Sequence, residues 1–348
     1  MSVFDAPDFD DHEEVVFCRD SSVGLNAIIA VHDTTLGAGL GGCRFWPYHT
    51  EAEALSDVLR LSRGMTYKAA LAGTGRGGGK SVIIGDPRAV GSPDLFRRLG
   101  AFVERLGGSY IIAEDVGTSP ADMAHVREST AHVAGLEGAS GDPSPATAYG
   151  VFCGMQAAWR HLTGTDDLSG LTVAIQGLGH VGQDLARRLH TAGAKLVVAD
   201  IRDALTTAAV RDFGATAVGV DCIHRVEADI LAPCALGASL NDTTIPQIRA
   251  RVVAGSANNQ LALDRHDGML ADRGILYAPD YVINAGGIIN IAHEGNYDAT
   301  AAFAHVARIG DTLTDLFRRA EAEGITTGAM ADRMARDVLE QARRKQAA

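Results

Sequence analysis

The sequence lacks an excess of positive charge. Its 348 residues carry 31 Lys and Arg against 43 Asp and Glu, which gives a formal net charge of −12 at pH 7. Because a phosphate backbone favours a basic protein surface, this balance argues against a nucleic-acid partner. Aromatic residues make up only 5% of the chain, but the hydrophobic share of 46% and the charged share of 21% exclude a disordered chain.

Long apolar runs are missing as well. None approaches the ~18 consecutive residues that a membrane helix needs, so we expect no membrane association. Residues 1–14 are acidic and show neither the basic nor the apolar part of a signal peptide. The five cysteines are scattered and form no Cys-x-x-Cys pair, and the 12 histidines show no metal-binding spacing. We therefore expect a cytoplasmic protein with reduced thiols and no bound metal.

Glycine, by contrast, is abundant, with 40 residues against a usual share of roughly 7%. The first part of the chain alternates strand-like and helix-like patterns, and a capping box formed by Thr50 and Glu53 starts its first helix. The strand patterns lie at 25–31, 81–84 and 110–113, and the helix patterns at 54–65 and 95–106. The stretch 135–145 is rich in Gly, Ser and Pro and predicts a domain boundary.

A more regular alternation follows this boundary. Strand patterns lie at 171–175, 195–200, 229–231, 252–254 and 274–277, and a helix is predicted over 183–192. Strands that alternate with helices predict a parallel sheet with right-handed crossovers. After residue 290 the chain is predicted to be helical, with a last helix over 330–344.

A glycine-rich turn joins the first strand and the first helix of this second region. The motif Gly-Leu-Gly-His-Val-Gly at 177–182 has the spacing of a dinucleotide-binding turn, and Asp200 ends the next strand, where a carboxylate would bond a ribose hydroxyl. Asp200 favours NAD, while the nearby Arg202 leaves NADP as an alternative. We interpret His180, inside the turn, as an exposed position rather than an acid, because only the glycines are required there.

Three stretches of the first region carry candidate chemistry: Gly-Met-Thr-Tyr-Lys-Ala-Ala at 64–70, Gly-Gly-Gly-Lys-Ser at 77–81 and Ala-Glu-Asp-Val-Gly-Thr at 113–118. A lysine after a glycine run suggests a phosphate-binding P-loop. That pattern, however, needs its first glycine where Thr74 stands. Each stretch alone is equally compatible with an ordinary surface segment.

Together, the stretches resemble the glutamate/leucine/phenylalanine/valine dehydrogenase family over nearly the whole chain, and most of all its leucine dehydrogenase branch. The other motifs that carry this resemblance are Gly-Gly-Cys-Arg at 41–44, Pro-Ser-Pro-Ala-Thr-Ala-Tyr-Gly at 143–150, Ala-Pro-Cys-Ala at 232–235, Gly-Ser-Ala-Asn-Asn at 255–259 and Asn-Ala-Gly-Gly at 284–287. The resemblance implies a reversible oxidative deamination. An L-amino acid, NAD and water would give a 2-oxo acid, ammonium and NADH.

The resemblance also implies roles for individual residues. Lys68 would bind the substrate carboxylate as a point charge, Lys80 would activate the attacking water, and Asp115 would move protons to and from the amino group. Further substrate contacts are implied at Gly41, Gly42 and Met65. The implied cofactor contacts are Arg44, Thr147, Gly177, Gly179, His180, Val181, Gly182, Asp200, Ile201, Ala235, Asn259 and Asn284. Asn259 is preferred over Asn258, and Arg44 is equally compatible with a surface ion pair.

The family's side-chain pocket falls on four apolar residues, namely Leu40, Ala113, Ile288 and Ile291. Glutamate is disfavoured, because its carboxylate would need a cation where Leu40 stands. Leucine, valine and isoleucine all remain candidates, since one methylene is worth only ~1–3 kcal/mol of discrimination. Ile112 and Cys43 replace threonines usual in the family, and the loop at 139–142 is short, so the preferred side chain stays open.

We therefore expect an α/β fold of two domains with the active site in the cleft between them. Residues 1–134 would form the substrate-binding, catalytic and oligomerisation domain, and residues 135–324 a Rossmann-type, doubly wound NAD-binding domain. The last helix, about 325–348, would pack back onto the first domain, and the chain would form a homo-oligomer. Two alternatives remain, a phenylalanine dehydrogenase and a nucleotide-sensing protein without turnover. The second would be expected to have lost Lys80 or Asp115.

Overall fold

The computed structural model describes residues 2–136, 141–235, 237–294 and 297–347. The chain forms two compact units. The first contains Met1–Gly141, Ile291–Tyr297 and Ala335–Ala348, and the second contains Asp142–Asn290 and Asp298–Met334. The predicted boundary after residue 134 falls inside the first unit. Residues 137–140 of the Gly-, Ser- and Pro-rich stretch, and with them part of the short loop noted in the sequence, lie outside the described residues.

The first unit is built on a five-stranded mixed sheet with the order β1-β2-β4-β3-β5. Its strands are β1 (Glu14–Asp20), β2 (Leu25–Asp33), β3 (Gly39–Trp46), β4 (Gly77–Ile84) and β5 (Tyr110–Glu114). β1 and β4 run antiparallel to β2, whereas β3 runs parallel to both β4 and β5. The sequence patterns missed β1 and β3 and started β4 at Ser81. For β3 and β4 the reason is their glycines, which are ordinarily depleted in strands.

Two long helices cover the two faces of this sheet. The helices of the stretch before residue 137 are α1 (Glu51–Ala72), α2 (Pro87–Val90), α3 (Pro93–Arg105) and α4 (Pro120–Arg127). As predicted, the Thr50 hydroxyl accepts a hydrogen bond from Glu53 N (3.1 Å), but the Glu53 carboxylate accepts from His49 N rather than from the cap residue. α1 packs its apolar side on β2 and β4, and α3 packs on the opposite face with the aromatic and aliphatic residues of β3 and β5.

The second unit contains a six-stranded, fully parallel sheet with the order β11-β10-β9-β6-β7-β8. Its strands are β6 (Thr172–Gln176), β7 (Lys195–Ala199), β8 (Thr216–Ala217), β9 (Ile230–Pro233), β10 (Val252–Val253) and β11 (Leu276–Tyr277). The strand order reverses between β6 and β9, which is the topological switch point of a doubly wound sheet. The α/β class and the Rossmann-type sheet predicted from the sequence are confirmed.

The remaining helices are α5 (Ser144–Thr163), α6 (His180–Thr191), α7 (Asp203–Phe213), α8 (Arg265–Asp272), α9 (Asp280–Ile283), α10 (Gly286–Ala292), α11 (Ala299–Ala307), α12 (Ile309–Glu323) and α13 (Thr327–Gln346). Across the described residues, no helix is both long enough and apolar enough to cross a bilayer. The part of α13 that belongs to the first unit contacts α1 and the end of β2. Arg336 Nε donates to the Tyr67 hydroxyl (3.2 Å), and Arg343 Nη2 donates to Asp33 Oδ2 (2.5 Å).

Candidate active site

Several of the predicted substrate and catalytic residues share one face of the five-stranded sheet. Side chains two positions apart on a strand point to the same side. Val82 of β4 packs against α1, so Lys80 also faces α1. Cys43 of β3 and Ile112 of β5 pack on the opposite face, so the residues one or three positions away from them along the chain face α1. These residues are Leu40, Gly42, Arg44, Ile111, Ala113 and, directly after β5, Asp115.

Lys80 and Asp115 form a buried ion pair on this face. The Lys80 Nζ lies 2.5 Å from Asp115 Oδ2, and the two side chains are 8% and 19% exposed. Arg44 Nε lies 3.4 Å from the same carboxylate oxygen. Two cations therefore converge on one carboxylate, which compensates for the loss of hydration on burial.

This arrangement sets the ionisation of Asp115. Burial alone would raise the pKa of its carboxyl group, but the charges of Lys80 and Arg44 outweigh burial and lower the pKa from 3.8 to about 2. Asp115 is therefore ionised at neutral pH. The site therefore presents an ionised carboxylate beside the Lys80 Nζ, and both are groups that can exchange protons with a bound molecule.

A short turn after β5 fixes the position of Asp115. The backbone N–H of Asp115 donates to Thr118 Oγ1 (3.0 Å), and the Thr118 hydroxyl in turn donates to the Cys43 carbonyl (2.9 Å) on β3. Gly117 has a φ of +83°, and a Cβ there would lie 2.0 Å from the Phe45 carbonyl oxygen. Thr118 ends the third stretch that the sequence analysis singled out, but sequence reasoning gave it no role.

Gly42 keeps space open beside the pair. A Cβ on Gly42 would lie 2.4 Å from the Glu114 carbonyl oxygen and 2.7 Å from Asp115 Cβ, so any side chain there would displace the carboxylate. The neighbouring Gly41 carbonyl accepts a hydrogen bond from the buried Tyr110 hydroxyl (2.8 Å). Both predicted substrate glycines therefore lie at a place where the backbone is tightly held.

Lys68 and Met65 lie on α1, next to the strand that carries Lys80. A Cβ on Gly78 would be only 2.1 Å from Thr66 N, so α1 touches β4 at this point. Lys68 follows Thr66 by two residues along α1, and Lys80 follows Gly78 by two residues along β4. Lys68 and Met65 are both half-buried. The structure thus brings the two lysine-bearing segments together.

Two of the four predicted pocket residues, Leu40 and Ile291, line one cavity of about 400 Å³ in the first unit. Ala113 is buried on the same face but is not part of the cavity lining, and Ile288 lies half-buried on α10 in the second unit. Sequence reasoning missed the other lining residues, which are Arg76, Ile111, Arg127, Ala131, His132, Val133, Ala134, Leu136, Ala292 and Glu294. Half of them come from the irregular segment after α4, which has no periodic pattern to predict its position.

In the second unit, the glycine-rich turn lies at the switch point of the parallel sheet. Gly177 has a φ of +99°, and a Cβ there would lie 2.8 Å from Ala235 Cβ at the end of β9. Cys234 N donates to the Gln176 carbonyl (2.7 Å), which ties the two strand ends together. Two predicted cofactor residues, Gly177 and Ala235, are therefore neighbours where a doubly wound sheet binds its ligand.

The turn leads directly into the first residues of α6. Gly179 is the cap residue, and a Cβ there would meet nothing within 4 Å, whereas Gly182 packs so closely that a Cβ would lie 2.1 Å from the Gly177 carbonyl oxygen. An open cap at a helix N-terminus suits a pyrophosphate. Val181 is half-buried, and the His180 side chain is 83% exposed, 3.8 Å from Asp142.

Asp200 is connected to the turn by hydrogen bonds. Its Oδ2 accepts from Leu178 N (2.7 Å) and its Oδ1 from Arg202 N (2.9 Å). Burial raises the pKa of Asp200, but these bonds and the Arg202 guanidinium lower it overall. Asp200 and the exposed Ile201 line a surface pocket of about 560 Å³, together with residues of α7 and of the segment after β8.

A buried amide lies at the other end of the predicted cofactor site. The Asn284 Nδ2 donates to the Ser256 carbonyl (3.1 Å) and to Asn258 Oδ1 (2.7 Å). Its Oδ1 is buried and has no hydrogen-bond partner within the described parts of the chain. Thr147 adjoins this region through Gly287, where a Cβ would lie 3.0 Å from Thr147 Oγ1.

The structure distinguishes the two candidate asparagines by their contacts. Asn258 bonds Asn284, whereas Asn259 has a φ of +50° and uses its carbonyl to accept a bond from Ala238 N (2.7 Å). An unpaired buried amide oxygen needs a donor. The carboxamide of a nicotinamide offers one, so the open turn and the Asn284 amide both fit a nicotinamide dinucleotide.

No group of three His, Cys, Asp or Glu side chains that could hold a metal ion occurs among the described residues.

Family comparisons cover both units. The family model described as the dimerisation domain of Glu/Leu/Phe/Val dehydrogenases matches residues 12–132. The model described as Glutamate/Leucine/Phenylalanine/Valine dehydrogenase matches residues 138–209 and 202–342. The two models together span most of the chain and meet near the Gly-, Ser- and Pro-rich stretch.

Individual relatives are named for different amino acid substrates. The chain is 51% identical over 348 residues to leucine dehydrogenase of Geobacillus stearothermophilus, covering 99% of this chain and 95% of the relative. It is 47% identical over 333 residues to phenylalanine dehydrogenase of Bacillus thermotolerans, covering 93% and 87%. The crystal structure of L-tryptophan dehydrogenase from Nostoc punctiforme matches with a TM-score of 0.85 at 44% identity, covering 96% and 97%.

Proposed function

Because the chain belongs to the glutamate/leucine/phenylalanine/valine dehydrogenase family, we propose that it catalyses the reversible, NAD-dependent oxidative deamination of branched-chain aliphatic L-amino acids. The observation that carries this proposal is the buried Lys80–Asp115 pair beside the lysine-bearing part of α1. Its products would be the 2-oxo acid, ammonium, NADH and a proton. A nucleotide-sensing protein would have no need for this pair.

Each residue of the pair has a distinct task in the proposed reaction. Lys68 holds the substrate α-carboxylate by charge. NAD, when bound, supplies the acceptor for the hydride that leaves the α-carbon. Asp115 takes a proton from the substrate amino group. Lys80 first releases its ammonium proton to solvent and then, as the neutral amine, accepts a proton from the water that attacks the iminium carbon, so that it ends the step as an ammonium again. The amino group then leaves as ammonia, which Asp115 protonates.

We propose NAD rather than NADP because Asp200 places a carboxylate in the predicted ribose pocket. A carboxylate accepts bonds from a ribose hydroxyl but repels a 2′-phosphate. The side chain of Asp200 is 6% exposed and is already bonded to the glycine-rich turn, so it is held in place before any ligand binds. The Arg202 guanidinium lies 3.3 Å from Asp200 Oδ1, and this contact partly neutralises its charge.

The apolar residues Leu40 and Ile291 support an aliphatic side chain in the substrate. A second candidate is an aromatic substrate, because the cavity they line has a volume of about 400 Å³ and exceeds an isobutyl group. The names of the phenylalanine and tryptophan dehydrogenases point the same way.

We further propose a homo-oligomer assembled through the first unit, since the family model for residues 12–132 describes a dimerisation domain. The cytoplasmic location stays a prediction.

A panel of 2-oxo acids tests the proposal. NADH oxidation is followed with ammonium and 4-methyl-2-oxopentanoate, 3-methyl-2-oxobutanoate, phenylpyruvate or 2-oxoglutarate, and each measurement is repeated with NADPH. We expect the highest kcat/KM with the two branched acids and NADH. Turnover of phenylpyruvate alone would favour the aromatic alternative, and no turnover with any acid would refute the proposal.

A further inference from the structure

Arg44 connects Asp115 to a second buried carboxylate. The Arg44 Nη1 donates to Asp57 Oδ2 at 2.9 Å, while its Nε lies 3.4 Å from Asp115 Oδ2. The Arg44 and Asp57 side chains are 19% and 13% exposed. The arginine lies on β3 and Asp57 on α1, so the contact spans the sheet and the helix that covers it.

Asp57 is itself held from two further sides. The Tyr48 hydroxyl donates to Asp57 Oδ2 (2.6 Å), and Arg60 Nη2 donates to Asp57 Oδ1 (3.1 Å). Burial and the Asp57 hydrogen bond raise the pKa of Tyr48, so the phenol keeps the proton that it donates. Burial raises the pKa of Asp57, but these contacts and the Arg44 charge lower it overall.

The inner part of this network is balanced in charge. Lys80 and Arg44 supply two positive charges, and Asp115 and Asp57 supply two negative charges. A buried charge is tolerated when it is paired and hydrogen-bonded. Burial lowers the pKa of Arg44, yet the two carboxylates more than compensate, so the guanidinium stays charged between them.

We propose that Arg44 and Asp57 are positioning residues for Asp115. Asp57 fixes the Arg44 guanidinium from α1, and Arg44 in turn fixes the orientation of the carboxylate that handles the amino proton. This inference rests on the proposed function. It differs from the family-derived expectation that Arg44 contacts the cofactor, because two nitrogens of the guanidinium are engaged by carboxylates of the first unit.

Arg44→Ala separates the two roles for Arg44. A positioning role predicts that kcat for 4-methyl-2-oxopentanoate falls about 10²-fold, as expected when a reacting group is misplaced by about 1 Å. The dissociation constant for NADH, measured by fluorescence titration, stays unchanged. A loss confined to NADH binding, with kcat intact at saturating NADH, would overturn the proposal in favour of a cofactor contact.

Added ethylguanidinium provides a readout that a general structural defect would not give. The cation can occupy the space of the deleted side chain, so we expect it to restore part of kcat in Arg44→Ala but none in Lys80→Ala. Circular dichroism establishes that Arg44→Ala is folded. If the variant is unfolded, Arg44→Lys takes its place, with an intermediate kcat expected because lysine keeps the charge but binds one carboxylate at a time. A folded Arg44→Lys protein with a wild-type kcat would contradict the proposal.

Asp57 supplies the second test, and the chain provides a matched control. Asp57→Asn should lower kcat less than Arg44→Ala does, and the double variant should be no worse than Arg44→Ala, because both changes act through one contact. Arg97→Ala removes an exposed arginine that pairs with Asp94 and Glu128 and does not touch this network, so it should leave kcat unchanged. If the double variant instead lost the product of the two single fold-losses in kcat, Asp57 and Arg44 would not act through one contact and the proposal would be refuted. Failure of the proposed function would instead appear as an inactive wild-type protein.

Discussion

The Nζ of Lys80 lies 2.5 Å from Oδ2 of Asp115, and strand alternation brings these two residues onto the face of the sheet that α1 covers. They come from β4 and from the turn after β5, which are separated by β3 in the sheet. The pair is therefore a product of the fold of the first unit. Its position depends on the glycines of β3 and β4, which leave room for it between the backbone and α1.

Asp115 makes the stability of the protein depend on acid pH. Its pKa is lowered from 3.8 to about 2 in the folded state, so it stabilises the fold above pH ~4, and this contribution is lost as the pH falls toward 2. The shift corresponds to ~2 kcal/mol. In urea unfolding, the difference in stability between wild type and Asp115→Asn should narrow by about that amount between pH 6 and pH 2–3. A difference that does not depend on pH would contradict this ionisation.

A buried histidine adds a second pH dependence at higher pH. Burial lowers the pKa of His12 from 6.5 to about 4; its Nε2 bonds the Leu59 carbonyl (3.0 Å) and its Nδ1 accepts a bond from Asp10 N (3.2 Å). The unfolded chain binds the proton first, so stability falls as the pH decreases from 6.5 to 4, by ~3 kcal/mol.

His12→Gln should therefore flatten the dependence of the unfolding free energy on pH between 6.5 and 4. His49→Gln is the control, because His49 is exposed. The two variants are compared by urea unfolding at several pH values in this interval. Equal slopes for both variants and for the wild type would show that His12 does not keep a neutral ring in the folded state.

Gly42→Ala tests the space beside the ion pair. The new methyl group would lie 2.7 Å from Asp115 Cβ and 2.4 Å from the Glu114 carbonyl, so the carboxylate must move. We expect kcat to fall about 10²-fold. Gly268→Ala is the matched control, since a Cβ on this α8 residue meets nothing within 4 Å, and it should raise stability by ~0.5–1 kcal/mol with activity unchanged. A wild-type kcat in Gly42→Ala would show that a methyl group at this position does not displace the Asp115 carboxylate.

The sequence predicted the second unit better than the first. A buried parallel strand, the glycine-rich turn and Asp200 each have a local signature, and the structure places all three at one switch point. β3 escaped prediction because its glycines weaken any strand pattern, although those same glycines make room for Asp115. Asp57 could not be recognised as part of the site, because on sequence alone it is one more polar residue of an amphipathic helix.

Asp200→Ala tests the cofactor preference. The carboxylate accepts bonds from Leu178 N and Arg202 N, so its loss both loosens the turn and removes the proposed ribose partner. Hydrogen bonds to a charged group contribute ~1.5–3 kcal/mol, so NADH should bind roughly 10–100-fold more weakly. The affinity for NADPH should fall less than the affinity for NADH, because the carboxylate no longer repels the 2′-phosphate of NADPH. An unchanged ratio of NADH to NADPH affinity would show that Asp200 does not select the cofactor.

Steady-state kinetics of Lys80→Met test the central claim most directly. Methionine keeps the length and apolar stem of the side chain but removes the charge and the proton-accepting nitrogen, and Asp115 retains Arg44 as a partner. With 4-methyl-2-oxopentanoate, ammonium and NADH, the variant should lose 10²–10⁴-fold in kcat while binding NADH as the wild type does. A folded Lys80→Met protein with kcat within a few-fold of wild type would contradict the account.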